Sequence, residues 1–547
     1  MNRRDALADW AWLLVVGAVS TLWCLTAAHH LSATFDEPTY LRCGLDHWRT
    51  GSYKQLLKLG TMPLPVDVET LPIHLWERWH GGPMDFTMAL SVARAGNLVF
   101  WWLLLIYALR TGRALGGHWA GRLAVLLLAC QPVLLGHAAL ATTDIAVTAC
   151  LLALAFEFSA GRGSRWPRRV ALPAVLYGVA ILAKASAMVF GPLFLLVIEA
   201  ERAWRDGIFA GDVNVWRARA RLVWNDLWKI GAGGLAFTFL YCGSDWTTER
   251  TFVEWAQTLP AGALHDTMLW ISTHLKIFTN AGEGLAQQIK HNFRGHGTYL
   301  LGQAHRRAVW FYFPVALTIK LSLALLTMPV VIALFRPRAL RNWACLAAAV
   351  LLAYSVTCRV QIGVRFMFPL VALACVGLSA AAVTAWRERT GWQRQACSAW
   401  LAVVFIVSGW SAWSAWPDGI RYTNAAWGGP RDGYRWLSDS NYDWGQGLTD
   451  LRTWRERHAV ATVDVWYFGT DPTVHDEPLR ELPLHQIAPE DFADSVQGKV
   501  IAVSPTFLFG TYASSSPSAS DMVAFFRSRP VADRTSTFLI YDFRDVR

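Results

Sequence analysis

Charged residues are scarce in this chain. Only 16% of its 547 residues are Asp, Glu, Lys or Arg, whereas an ordinary soluble domain has about 25%. Hydrophobic residues make up 54% of the sequence, and the mean hydropathy is +0.27. Apolar runs long enough to cross a bilayer, about 20 residues each, recur as far as residue 415. The composition excludes an ordinary soluble enzyme and predicts a polytopic α-helical membrane protein.

Several motifs that indicate other classes of protein are also missing. The nine cysteines include no Cys-X-X-Cys pair, and none follows Cys397, which argues against a zinc knuckle or a disulfide framework. The sequence has no glycine-rich phosphate loop followed by Lys and Ser or Thr, which argues against a nucleotide-linked substrate. No small-residue cleavage site precedes Asp36, so we expect the first hydrophobic span to stay as an anchor.

The basic residues form an orientation signal. Arg clusters in short loops between the apolar runs account for most of the +10 net charge, so no nucleic acid is expected as a partner. Their pattern places the N-terminus in the cytoplasm and predicts about eleven transmembrane helices in residues 1–416, with long outer loops at 31–88 and 243–309. The spans are expected near residues 10–28, 88–109, 123–135, 145–160, 170–182, 186–198, 230–242, 311–335, 343–357, 366–386 and 396–416.

The composition changes after residue 416. Residues 417–547 are mixed polar and apolar, and alternating patterns there predict strands at 462–468, 499–504 and 537–543. Helices are predicted at 444–458 and 520–527. We therefore expect a small α/β domain of about 130 residues, a normal domain size, on the outer side of the membrane.

The segment TFDEPTYLR, residues 34–42, follows the first span directly. It places two adjacent carboxylates, Asp36 and Glu37, before Pro38 at the mouth of a membrane protein. Charge is costly to keep at a membrane edge, which favours a catalytic or ligand-binding role. The same residues also suit the first turn of a helix, and the sequence alone leaves that alternative open.

Ionisable residues from separate segments share this outer face in the predicted topology. Together they suit a substrate with an anionic head and an apolar tail, because Arg and Lys bind phosphate and Asp can accept a proton. These residues also have structural explanations: Asp144 as a helix cap, Lys184 and Lys320 reaching the headgroups, Arg94 in an ion pair, Arg365 as an interfacial anchor, and His291 and His296 as ordinary loop residues. The full set comprises Asp36, Glu37, Arg94, Asp144, Lys184, the segment 291–299, Lys320 and Arg365.

Four segments carry a resemblance to a known family. They are TFDEPTYLRCGLDHWRTGSY from residue 34, GHGTYLLG followed by WFYFPVALTIK (295–302 and 310–320), GVRFMFPLVAL (363–373) and SDSNYDWGQGL (438–448). In this order they resemble bacterial glycosyltransferases of family 39, GT-C fold enzymes related to protein O-mannosyltransferases and aminoarabinose transferases. The likeness covers most of the chain. It implies a GT-C membrane fold and an inverting transfer of sugar from a polyprenyl-phosphate donor.

The resemblance also implies roles for single residues. Asp36 matches the family's catalytic Asp, Glu37 is its neighbour, and Asp144 matches a second Asp near the site. His296 and Tyr299 are candidates for contact with substrate or acceptor, while the segment 438–448 either contacts the acceptor or forms a polar turn that caps the next helix. The basic residues expected to bind the donor phosphate are Arg94, Lys184 and Arg365.

A divalent metal ion is the one cofactor that the resemblance suggests. Some relatives bind a metal through a Glu of the first outer loop and a His of a later one, and Glu69 with His296 is the corresponding pair here. The chain departs from the family nearby, because residues 61–65 read Thr-Met-Pro-Leu-Pro where many relatives have a His-Pro-Pro-Leu run.

The sequence thus predicts a membrane glycosyltransferase at the outer face of a bacterial cytoplasmic membrane. The expected partners are membrane lipid, a polyprenyl-phosphate sugar and a protein or envelope-glycan acceptor. A transporter or flippase of a lipid-linked substrate is the main alternative, although transporters usually have broken helices and polar groups near the midplane. An inactive scaffold whose exported domain binds a partner is a third hypothesis.

Overall fold

The computed structural model describes residues 3–208, 212–488 and 491–544. The first 415 residues are almost entirely helical, with one short hairpin of strands β1 (Thr298–Leu300) and β2 (Gln303–His305). The α-helices of this part are α1 (Arg3–His30), α2 (Glu37–Thr50), α3 (Lys54–Lys58), α4 (Pro63–His80), α5 (Phe86–Gly116), α6 (His118–Ala129), α7 (Pro132–Ala138), α8 (Thr143–Gly161), α9 (Leu172–Ala183), α10 (Ala187–Arg205), α11 (Val213–Cys242), α12 (Arg250–Gln257), α13 (Ala263–His274), α14 (Ala281–Arg294), α15 (Tyr312–Lys320), α16 (Leu323–Phe335), α17 (Trp343–Ser355), α18 (Phe368–Arg387) and α19 (Gly391–Ala415).

A helix lies at each of the eleven predicted spans. Among the described residues, five helices are long and apolar enough to cross a membrane by themselves, and the number is seven if each of two bent helix pairs forms one span. The five are α1, α5, α8, α18 with the turn before it, and α19. The sequence is therefore right that the chain is a helical membrane protein, and the number eleven stays a prediction.

Two of the predicted spans are broken. Helices α6 and α7 meet at 68°, and α15 and α16 meet at 111°. Pro132, which has no N–H to donate, begins α7, and an extended Leu321 separates α15 from α16. The hydroxyl of Ser322 donates to Gln131 at 2.9 Å, so a side-chain hydrogen bond joins the two breaks. The prediction of continuous spans at 123–135 and 311–335 is wrong, because the chain bends sharply before Pro132 and at the extended Leu321.

Helices α8 and α18 lie at the centre of the helical part. In each, 89% of the most apolar 18-residue window is buried by protein, compared with 28% in α1 and 22% in α19. Helices α1 and α19 therefore present most of their apolar surface outward, as expected of helices that contact lipid. The candidate residues Asp144 and Arg365 lie at the starts of these two helices.

Residues from 448 onward form an α/β unit around one mixed sheet. The strand order is β4-β3-β5-β7-β6, with β4, β3 and β5 parallel and β7 and β6 antiparallel to their neighbours. Strands β3, β5 and β7 coincide with the three predicted strands, whereas β4 and β6 are only three and two residues long and have no visible alternation. The elements are α20 (Leu448–Arg457), β3 (Val463–Trp466), β4 (Leu479–Glu481), α21 (Phe492–Val496), β5 (Val500–Val503), α22 (Pro505–Leu508), α23 (Pro517–Ser528), β6 (Asp533–Arg534) and β7 (Leu539–Asp542).

The stretch between residues 417 and 447 connects the α/β unit to the membrane helices. Its anchor is Lys320, at the end of α15, whose side chain is only 1% exposed. The Lys320 ammonium donates to the carbonyl oxygens of Ile420, Tyr422 and Asn441, which satisfies its three N–H groups. Lys320 therefore does not reach the lipid headgroups. Because this stretch packs on the helical part, the division of the chain at residue 416 stays a prediction.

We expect Lys320→Met to loosen this connection. The methionine fills a similar volume but leaves three buried carbonyl groups without a donor, at a cost of about 3 kcal/mol or more. Thermal unfolding of the purified protein in lipid nanodiscs, followed by tryptophan fluorescence, should begin at a lower temperature than in the wild type. Lys276→Met, at an exposed position, is the matched control, and equal unfolding temperatures for both variants would contradict the anchoring role.

Candidate functional site

Two cavities meet at one wall beside the start of α2. The first, which we call the apolar cavity, has a volume of about 450 Å³ and is walled by residues such as Met188, Phe190 and Ile289. The second, the aromatic cavity, has a volume of about 420 Å³ and lies against the α/β unit. Asp36 and Arg365 line both cavities. A carboxylate and a guanidinium thus stand where the contents of the two cavities would meet.

Asp36 occupies the N-cap position of α2, and its side chain makes no capping hydrogen bond. Its carboxylate instead accepts a hydrogen bond from Arg365 at 3.1 Å and lies 3.4 Å from the Tyr40 hydroxyl, one turn along α2. The side chain is 25% exposed. Pro38 fits this arrangement, because proline in the first helical turn sacrifices no hydrogen bond. Asp36 is therefore held in place yet open to a ligand.

Glu37 and Arg94 form a buried ion pair behind Asp36. Their side chains are 0% and 2% exposed, and two hydrogen bonds of 2.8 Å join them. Arg94 also donates to the carbonyls of Ala28, Leu31 and Ser32, which uses its remaining N–H groups. It caps the end of α1 and does not line either cavity. The expected role of Arg94 at the donor phosphate is therefore not supported, because its N–H groups are all bonded inside the protein.

Glu37 connects the same loop to the start of α8. In addition to Arg94, its carboxylate accepts hydrogen bonds from the Thr34 amide at 2.8 Å, the Thr34 hydroxyl at 3.0 Å and the Ala141 amide at 2.8 Å. Every contact is internal, so Glu37 is not placed to meet a substrate. The sequence placed Glu37 with the catalytic residues, but the geometry makes it the group that fixes Asp36 relative to α8.

A chain of alternating charges continues from Asp36 into the apolar cavity. Arg365 lies 3.1 Å from Asp36 and 3.6 Å from Asp144, and Lys184 lies 2.6 Å from Asp144. The Arg365 guanidinium also stacks 4.1 Å from the centre of the Trp444 ring. The structure thus brings together four of the predicted residues from four separate segments. Asp144 is 1% exposed and lies between the two cations.

Both cations keep capacity for an anion. The Nε of Arg365 is buried and has no hydrogen-bond partner within residues 3–208, 212–488 and 491–544. Lys184 lines the apolar cavity beside Arg365 and spends one bond on Asp144. Burial lowers the pKa of Lys184, and the Asp144 carboxylate opposes that effect. A ligand oxyanion placed between the two cations would gain charge-assisted hydrogen bonds that the protein leaves unused.

The other predicted contacts lie in the aromatic cavity. His296 and Tyr299 both line it, together with Asp439 and Trp444 from the segment 438–448. Asp439 has a left-handed backbone with φ of 58°, and burial raises its pKa to about 6. The sequence predicts a possible acceptor contact for the segment 438–448 as a whole but does not single out Asp439 or Trp444, and it assigns no role to Tyr40. All three lie in the motifs that carry the resemblance, but only the fold shows that Tyr40 lines the apolar cavity while Asp439 and Trp444 line the aromatic cavity.

The proposed metal ligands Glu69 and His296 are not brought together. Glu69 lies in α4, is 1% exposed, and lines neither cavity. Burial and the nearby Glu37 raise its pKa well above its ordinary value, which favours the neutral acid. In the described part of the chain, no group of three or more His, Cys, Asp or Glu side chains is arranged to hold a metal ion. The pair does not fit a metal site, and no step below uses one.

Removing the Arg94 side chain should destabilise the protein more than removing an exposed one. Arg94→Ala leaves the buried Glu37 carboxylate without its partner, at a cost of about 3–5 kcal/mol. We expect a clear drop in the thermal unfolding temperature in nanodiscs, while Arg78→Ala, at an exposed position of the first loop, should change little. Wild-type stability of Arg94→Ala would show that the pair does not hold the loop.

Comparison with known proteins found no matching family model and no matching curated protein. Among solved structures, ArnT from Cupriavidus metallidurans bound to undecaprenyl phosphate is 14% identical over 97% of both chains, with a TM-score of 0.45. The Archaeoglobus fulgidus oligosaccharyltransferase in complex with Zn and sulfate is 12% identical over 91% of this chain and 69% of that chain, with a TM-score of 0.47.

The arabinofuranosyltransferase AftD from Mycobacteria is also similar, with 12% identity over 92% of this chain and 35% of that chain and a TM-score of 0.38. Each of these three TM-scores lies below 0.5. The function proposed below rests on the site itself.

Proposed function

We propose that the chain transfers a sugar from a polyprenyl-phosphate donor to an acceptor hydroxyl at the outer face of the cytoplasmic membrane. One observation carries the proposal: Asp36 lines both cavities, beside two cations that have hydrogen bonds to offer. A transferase needs two substrates to meet at a proton acceptor, and the wall between the cavities supplies such a place. The polypeptide before residue 417 would form the membrane module, and the remainder would form an outer domain.

The apolar cavity suits the donor. Its residues combine the cations Lys184 and Arg365 with an apolar wall that includes Met188, Val189 and Phe190. A polyprenyl phosphate has the matching division, since its phosphate is anionic and its isoprenoid chain is apolar. Lys184 and Arg365 would bind the phosphate oxygens, and the isoprenoid chain would lie along the apolar wall.

The aromatic cavity would then receive the acceptor. Asp36 removes the proton from the acceptor hydroxyl as that oxygen attacks the anomeric carbon of the donor. The new carbon–oxygen bond forms as the bond from the anomeric carbon to the phosphate oxygen breaks, and the electron pair leaves with the lipid phosphate. Arg365 and Lys184 stabilise the charge on that phosphate. The proton on Asp36 passes to water before the next turnover.

A single displacement of this kind inverts the configuration at the anomeric carbon, because attack and departure occur on opposite faces of the sugar ring. In the inverting glycosidases one carboxylate likewise acts as a base and forms no covalent bond to the sugar. The arrangement here is consistent with that chemistry, since Asp36 stands at the cavity wall between the proposed donor and acceptor sites.

Transport of a lipid-linked substrate is the competing function, and one observation favours it. The two broken helix pairs, joined through Gln131 and Ser322, resemble the discontinuous helices of many transporters. The ionisable residues, however, form a network at the starts of α2, α8 and α18 with two cavities around it. That arrangement supports chemistry at the wall more directly than passage across the membrane.

We expect Asp36→Asn to slow transfer strongly and leave the fold intact. The amide keeps the shape of the side chain but cannot accept the proton, so the rate should fall by about 10²- to 10⁴-fold. The assay measures release of polyprenyl phosphate from a panel of polyprenyl-phosphate monosaccharides. Wild type and each variant are assayed in nanodiscs, with an envelope extract as the acceptor source. Asp46→Asn, on the same helix, is the matched control.

The same variant separates the two functions. Wild type and Asp36→Asn are compared in proteoliposomes that contain a fluorescent donor lipid. If the protein is a transferase, the variant should give little glycosylated product. Neither the wild type nor the variant should then move the lipid from one leaflet to the other. Full transfer by a folded Asp36→Asn protein would remove the proposed base. Lipid movement by the wild type without any sugar transfer would instead establish the transporter.

A further inference from the structure

The walls of the aromatic cavity point to the chemical class of the acceptor. Phe35, Trp444, Phe468 and Phe507 are among its lining residues, and they come from the first loop, the segment 438–448 and the α/β unit. The rings of Phe35 and Phe468 are stacked, with centroids 5.4 Å apart. Aromatic faces carry negative potential and attract the weakly positive C–H groups of a sugar ring, so such walls suit a saccharide.

Polar groups in the same cavity complement the hydroxyls of a ring. Asp439 faces the cavity, and one of its carboxylate oxygens accepts the Ser440 amide at 2.6 Å. The backbone amide of Asp439 donates to the hydroxyl of Thr506 at 3.3 Å, and Thr506 also lines the cavity. The remaining acceptor capacity of the Asp439 carboxylate is available to hydroxyl groups of a ligand.

Asp439 has a backbone conformation that few types of residue adopt. Its φ of 58° is unusual for a residue other than glycine, although Asp and Asn adopt such angles more readily than other residues. Strained conformations of this kind cluster at ligand sites, where the surrounding structure maintains them. Asp439 lines the same aromatic cavity as Asp36 and Arg365.

We propose that the acceptor is a saccharide, that its ring stacks on the aromatic walls, and that Asp439 binds its hydroxyl groups so that one hydroxyl faces Asp36. The inference rests on the proposed function, because it assigns the aromatic cavity to the acceptor of that reaction. Asp439 is a specificity-determining residue in this account, and Asp36 performs the proton transfer. The alternative is a protein acceptor with a Ser or Thr hydroxyl, and the experiment distinguishes the two.

The test measures binding to the full-length protein in nanodiscs by saturation-transfer NMR. The probes are a set of methyl hexopyranosides and methyl pentosides, and, separately, capped peptides containing Ser and Thr. We expect at least one glycoside to bind through its C–H protons and the peptides to give no signal. Peptide binding without glycoside binding, or no glycoside binding in the presence of saturating polyprenyl phosphate, would overturn the proposal.

Variants locate the binding. Asp439→Asn should weaken glycoside binding by about 10- to 100-fold, since a hydrogen bond to a charged group is lost, and asparagine tolerates the left-handed backbone. Phe468→Leu removes one aromatic wall and should weaken binding as well. Asp494→Asn, an exposed carboxylate of the α/β unit, should bind like the wild type. Unchanged affinity in both cavity variants would contradict the assignment.

A further variant separates this inference from the proposed reaction. Asp36→Asn should keep glycoside binding while it loses transfer. If the glycosides bind at Asp439 but no sugar is ever transferred, the saccharide site stands and the proposed reaction fails. If transfer occurs and its product is a glycosylated peptide, the reaction stands and the saccharide acceptor is refuted.

Discussion

The buried ion pair between Arg94 and Glu37 is the constraint on which the rest of the site depends. It joins the end of α1, the start of α2 and the turn before α8 through hydrogen bonds that are all internal to the protein. A buried pair of this kind adds little net stability, because the loss of hydration opposes the attraction between the charges. Its contribution is geometric, since it fixes the position of the Asp36 backbone relative to the end of the first span.

Asp36, held in this way, marks the boundary between two unlike environments. One side is an apolar cavity with two cations, and the other is an aromatic cavity shared with the α/β unit. Arg365 lines both cavities and forms an ion pair with Asp36. The α/β unit therefore has a direct part in the site, and Lys320 secures the stretch of chain that brings it there.

Much of this arrangement could be predicted from the sequence, and the exceptions have physical causes. The spans and the three longer strands follow from runs and alternation of apolar residues, which depend only on neighbours along the chain. Asp36, Asp144, Lys184 and Arg365 were found because charge at a membrane edge is conspicuous. Arg94 is equally conspicuous, but its burial against Glu37 depends on contacts between distant segments. The helix breaks near Gln131 and Ser322 were missed because a continuous apolar run conceals them.

The central claim is that donor phosphate and acceptor meet across Asp36. A cryo-electron microscopy structure of the full chain in nanodiscs with polyprenyl phosphate tests it most directly. The account predicts phosphate density within hydrogen-bond distance of Lys184 and Arg365, with the lipid chain along Met188 and Phe190 and with Asp36 released toward the aromatic cavity. Phosphate density elsewhere, with the ion pair between Asp36 and Arg365 intact, would contradict it.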